Sequence, residues 1–211
     1  MKRDNTAKDI RIAEKAVLEL TQSGDLKKLP EQLARQIADF YETKGLNRLQ
    51  TAKLIYEASK SAKKYNLPEK YSDYSEAVAA AYYAMYYIVH AYLAALYKTK
   101  LREDLRGVHA ITNNLVVYYL VKTNKLAKHL YEEYFKTLET TSSIQNMTLE
   151  SFQEEAFEYV KQYKKSKEAR ETFTYKTTAS VESYHAERAI ATAEEFVNTI
   201  RQLVHKNNIN G

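Results

Sequence analysis

Residues Ala77 to Tyr97 read AVAAAYYAMYYIVHAYLAALY, a stretch with no Asp, Glu, Lys or Arg that is long enough to cross a bilayer as a helix. Its composition decides against that reading. Eight alanines, six tyrosines and a histidine replace the Leu and Ile that a lipid-facing span favours, and tyrosine concentrates at membrane interfaces rather than through the hydrocarbon centre. The stretch therefore predicts a helix enclosed by other helices, with alanines permitting close approach and tyrosine hydroxyls reaching polar partners at its margins. No membrane association is expected. The first twenty residues mix charged and apolar groups, so no export signal can be drawn there either.

Working outward, helix-period apolar residues dominate, and no segment sustains the strict alternation of a strand. Only 4 glycines and 2 prolines punctuate 211 residues, which disfavours a turn-rich β fold. The glycines are too scattered for a Walker or dinucleotide-binding loop. With no cysteine there is no disulfide, thiolate metal site or thiol nucleophile, and a reducing cytoplasm is the expected compartment. The charge balance, 32 Lys+Arg against 27 Asp+Glu, gives +5 with both signs interleaved. Such a balance is compatible with an acidic partner such as RNA or a nucleotide without requiring one.

The predicted class is all-α. A first helix spans Thr6 to Gln22, stopped by Gly24, and Pro30 opens a second with Leu33, Ile37 and Phe40 as its apolar stripe. Gly45 is read as the end of that helix, before a third stripe of Leu49, Ala52, Ile55 and Tyr56. A glycine turn between two short helices also suggests a helix-turn-helix, although Arg48, Gln50 and Lys53 form no concentrated base-reading face. Pro68 is placed as a boundary between an N-terminal helical extension, residues 1–68, and a bundle, residues 69–211. Ser72 or Asp73 would cap the Ala/Tyr helix. Further helices follow at Val108 to Val121 and Lys125 to Leu138, a polar loop at Thr140 to Ser143, a long helix from Thr148 toward Arg170, and a last helix from Val181 to His205. The stripe of that last helix is Ala189, Ala193, Phe196, Val197, Ile200 and Val204.

The strings AAYYAMYY at Ala80 to Tyr87, RGV at Arg106 to Val108, VKTNKL at Val121 to Leu126 and AEEFVNTIRQLV at Ala193 to Val204, in that order and spacing, resemble the HEPN (higher eukaryotes and prokaryotes nucleotide-binding) domain. The resemblance runs from Tyr74 to His205. It implies an antiparallel bundle of four or five helices, often a homodimer, with a nucleotide- or RNA-related role beside a minimal nucleotidyltransferase partner, as substrate-binding subunit or in a toxin–antitoxin pair. Ribonuclease members of the family carry Arg, four to six residues, then His near the last helical segment. The matching stretch here has Arg170, but Tyr175 stands where the histidine would be, and the next histidine is His185. Tyrosine, with a pKa near 10, is a poor general base at neutral pH. The resemblance thus implies a binding module that faces its ligand with Arg170, Tyr175, Lys164 and Lys167, with Tyr175 also a candidate for modification by the partner. A divergent ribonuclease using Arg170 and His185 is the alternative, and a helical adaptor without nucleotide affinity is another.

Elsewhere, Arg102 and His109 satisfy the bare Arg-to-His spacing, a match that chance alone accounts for. Tyr82 and Tyr86 share one helix face with His90, and Tyr83 and Tyr87 share the next. These four tyrosines are candidates for a core, an interface or a base-stacking surface. Five dispersed histidines with no i, i+4 pair imply no metal site, and no cofactor is expected.

Overall fold

The structure, a computed structural model, describes residues 6–102, 104–144 and 181–209. It is mostly helical, and among the described residues no helix is long and apolar enough to cross a membrane.

Helix α1 spans Thr6–Gln22, and Gly24 at φ +76° turns the chain into strand β1, Leu26–Lys28. This strand pairs antiparallel with β2, Thr99–Leu101, matching Leu26 to Leu101, Lys27 to Lys100 and Lys28 to Thr99. Strands of three residues carry no readable period, which is why neither was expected. The ribbon ties the entry of one helix to the exit of another, since Pro30 leads into α2, Glu31–Lys60, while β2 follows α3, Tyr74–Tyr97.

Helix α2 overturns the break placed at Gly45. It runs unbroken through that residue, with Ala34, Ala38, Tyr41, Gly45, Leu49, Ala52 and Tyr56 buried. A Cβ on Gly45 would lie 3.1 Å from the Ala84 carbonyl oxygen and 3.4 Å from the Ile88 nitrogen. The glycine is thus an inter-helix contact rather than a helix stop, and the helix-turn-helix reading falls with the turn. The apolar stripe is corrected too: Leu33 and Phe40 are exposed, and the buried face is made mostly of alanines and tyrosines, with Gly45 and Leu49, packed on the alanine-rich α3.

Helix α3 lies at the centre with fifteen buried residues, as its composition predicts. Asp73 caps it, accepting the Glu76 N–H at 3.2 Å, and the Ser59 hydroxyl accepts the Asp73 N–H at 2.9 Å. Asp73→Ala should cost about 1 kcal/mol, the usual value of an N-cap, read as a lower urea midpoint with unchanged slope.

Gly107 at φ +68° starts α4, Val108–Val116, which widens into a π turn, Val117–Val121. Helix α5, Lys128–Ile144, contains the four residues read as a polar loop. Thr140, Thr141, Ser142 and Ser143 each donate their hydroxyl to the carbonyl four residues back, at 2.8–3.0 Å. Satisfied in this way, hydroxyls sit inside a helix and even in its buried face, as Thr141 and Ser142 do.

Helix α6, Ser183–Ile209, places Ala189, Ala193, Phe196, Val197 and Ile200 in the core and continues past His205. Phe196 stacks on Tyr134 of α5 at 5.2 Å. Arg188 grips Glu133 through two 2.7 Å bonds, and Arg201 reaches Glu42 of α2 at 2.7 Å. Val17, Leu26, Tyr41 and Leu49 belong to the same hydrophobic core as α3, α5 and α6.

Candidate functional site

The four α3 tyrosines divide by depth. Tyr82 is fully buried, and its hydroxyl shares a 2.8 Å hydrogen bond with His109 Nδ1. Tyr86 is half-buried between His90, 4.6 Å between ring centroids, and His109, at 5.0 Å. Burial keeps the Tyr82 hydroxyl well above its ordinary pKa and pushes the Tyr86 hydroxyl up as well. These two are core residues. Tyr83 and Tyr87 lie one turn apart at the α2–α3 border, where their rings face side chains of α2.

Those side chains build the site. Lys44 and Arg48 are one helical turn apart on the flank of α2 that looks past α3 into solvent. Lys44 Nζ lies 4.6 Å above the Phe40 ring and 5.3 Å from the Tyr87 ring, and the Arg48 guanidinium lies 5.9 Å from Tyr83. Lys44, Asn47, Arg48, Thr51 and Tyr87 line a concavity of about 170 Å³. Neither cation enters an ion pair among the described residues, in contrast to Arg35, Lys53, Lys98 and Arg201, which hold Glu31, Glu194, Glu31 and Glu42. The two charges are therefore available, held over aromatic faces by cation–π attraction worth about 0.5–1 kcal/mol at an exposed site.

Arg102 and His109 do not make a catalytic pair. Arg102 is held by Asp25 at 3.0 Å and Asp104 at 2.7 Å, while His109 is turned inward to Tyr82. Of the residues implied by the resemblance, Arg170, Tyr175, Lys164 and Lys167 lie outside the described residues. His185 sits in the first turn of α6 with its ring 4.1 Å from that of Tyr184, and its buried Nδ1 finds no hydrogen-bond partner among the described residues.

His109 supplies a pH signature. Burial lowers its pKa to about 4, so the folded protein keeps it neutral while the unfolded chain protonates near 6.5. The stability this confers is complete above pH 6.5 and is lost as pH falls toward 4, by about 3 kcal/mol in total if fully expressed. Glu139 works in the opposite sense. Burial raises its pKa to about 7 from an ordinary 4.5, so its contribution declines as pH rises through that window. In urea titrations, His109→Gln should therefore lose less stability than wild type between pH 7 and pH 5, or gain some, and an identical pH slope in both would contradict the assignment.

Sequence alone does not single out Lys44, Asn47 and Thr51, because a glycine at position 45 reads as the end of the helix that carries them. A signal existed: neither Lys44 nor Arg48 has a carboxylate three or four residues away, whereas Arg35 has Glu31 at i−4. Comparisons with protein-family models, with curated proteins and with solved structures gave no match.

Proposed function

We propose that this chain is a HEPN-like helical binding module for an anionic ligand that carries an aromatic ring, a nucleotide or a short stretch of RNA, seated in the α2–α3 groove. The observation that carries the reading is the pair of cations, Lys44 and Arg48, one turn apart over the rings of Phe40, Tyr83 and Tyr87 and without an ion pair among the described residues. A positive groove bordered by aromatic faces is the usual chemistry for holding phosphates while bases stack. Arg48 would take a phosphate through two parallel N–H bonds, Lys44 would act as a point charge, and Asn47 would offer both a donor and an acceptor to a base edge. At about 170 Å³ the concavity is smaller than the roughly 300 Å³ at which enclosed small-molecule pockets begin. It accommodates one ring-sized group, and the remainder of the ligand would lie along the exposed flank of α2.

Thermal unfolding with ATP and with short RNAs tests this. A ligand at 100 times its Kd stabilises by about 2.7 kcal/mol, which moves the Tm by several degrees. The shift should vanish in Arg48→Ala and survive in Arg170→Ala. The reverse pattern would return the ligand to the position implied by the family resemblance, and no shift with any of these ligands would leave a helical adaptor.

A further inference from the structure

The exposed flank of α2 carries more than two cations. Leu33, Ile37, Phe40, Lys44, Asn47, Thr51 and Leu54 follow one another in steps of 4, 3, 4, 3, 4 and 3 residues, the spacing of a coiled-coil seam. Leu33, Phe40 and Leu54 are 42%, 53% and 56% exposed, and they account for three of the five large apolar side chains exposed among the described residues. Ile37 and Thr51 are half-buried along the same line. The seam is about 32 Å long at 1.5 Å per residue, apolar at both ends and cationic with an amide at its middle. A lone solvent-facing apolar side chain needs no explanation, but Leu33, Phe40 and Leu54 at seam spacing on one unbroken helix form a heptad face without a partner among the described residues.

We infer that this seam docks an amphipathic helix of a partner protein that presents apolar residues to Leu33, Phe40 and Leu54 and carboxylates to Lys44 and Arg48. Charge selects this occupant over a second copy of the chain. Parallel self-pairing sets Lys44 against its own mate in one layer. Antiparallel self-pairing that matches Leu33 with Leu54 places the two-fold axis between Thr43 and Lys44, which again brings the lysines together. Either arrangement gathers like charges, with the Arg48 pair close by, at the dry centre of the seam. A partner with Asp or Glu there converts the same two cations into ion pairs, and Lys44 and Asn47 at core positions then fix the register. The inference stands on the seam and does not depend on the nucleotide reading.

Three labelled synthetic heptad peptides test it by fluorescence anisotropy against the full chain: Leu at every core position with Glu at the central layer, the same peptide with Lys at that layer, and the Glu peptide with its core Leu changed to Ser. The first should bind at least tenfold more tightly than either of the others. Phe40→Ser with Leu54→Ser should abolish its binding with little change in Tm, and Lys44→Glu should transfer the preference to the Lys peptide. Failure of the first peptide to bind overturns the inference. Equal binding of the Ser-core peptide overturns it in favour of a surface that reads negative charge alone, as a polyanion site would. A concentration-dependent dimer in sedimentation velocity that is lost in Phe40→Ser overturns it in favour of a second copy.

Discussion

Gly45→Leu should lower the thermal midpoint by about 10 °C or more, followed by circular dichroism at 222 nm, while Gly45→Ala should change it by only a few degrees. The difference comes from the contact each side chain must enter. At Gly45 helices α2 and α3 are close enough that a bare Cβ already meets the Ala84 carbonyl oxygen at 3.1 Å. For alanine, that tight contact opposes the gain of about 1 kcal/mol from replacing a mid-helix glycine, and the two effects largely cancel. Leucine adds a branched group with nowhere to go, because the neighbour is backbone and cannot swing aside. Overpacking of this kind costs about 3 kcal/mol or more, a large fraction of a typical domain's 5–15 kcal/mol, and for a chain of this size each kcal/mol is about 2–4 °C. A fully tolerated leucine would mean that α2 does not pack on α3 as described and would remove the frame on which Lys44 and Arg48 are presented.

The second large effect concerns ligand binding. Reversing both charges, Lys44→Glu with Arg48→Glu, should weaken binding of a nucleotide or short RNA roughly 100-fold or more, since a hydrogen bond to a charged group contributes about 1.5–3 kcal/mol and two are replaced by repulsion. The fold should be unaffected. Both side chains are exposed and make no ion pair among the described residues, so the double variant loses only their cation–π contacts, about 0.5–1 kcal/mol each, and should melt within a few degrees of wild type. Tyr87→Phe should bind as wild type does, because the stacking face is retained and only the hydroxyl is lost. Undiminished affinity in the charge-reversed protein would place the ligand elsewhere on the molecule.

Much of the architecture was legible in the sequence because helical periodicity and composition carry it. The Ala77–Tyr97 stretch announced an enclosed helix, Asp73 was available as its cap, and the stripe of the last helix went into the core nearly whole. The misreadings share a cause: residues judged by average preference whose local partners reverse it. Gly45 ends helices on average, yet here the missing Cβ is what lets two backbones approach. Thr140 to Ser143 resemble a loop until each hydroxyl finds the carbonyl four residues back. Leu33 and Phe40 were the obvious apolar stripe of α2, but α3 is itself so rich in alanine that small residues and tyrosines make the better complement, and the large apolar groups are left facing out. The site followed from these errors, because a helix broken at Gly45 separates Lys44 from Arg48 and hides the seam that runs through both.

The most direct test of the groove is the salt dependence of binding, measured as the affinity of a labelled single-stranded oligouridylate between 50 and 200 mM KCl for wild type and for the Lys44→Glu, Arg48→Glu protein. Two phosphates neutralised by Lys44 and Arg48 give a slope of log K against log salt of about −1.4. Wild type should show that slope, and the double variant should retain only residual, nearly salt-independent binding. The same slope in both proteins, or no binding by wild type at the lowest salt, would contradict it.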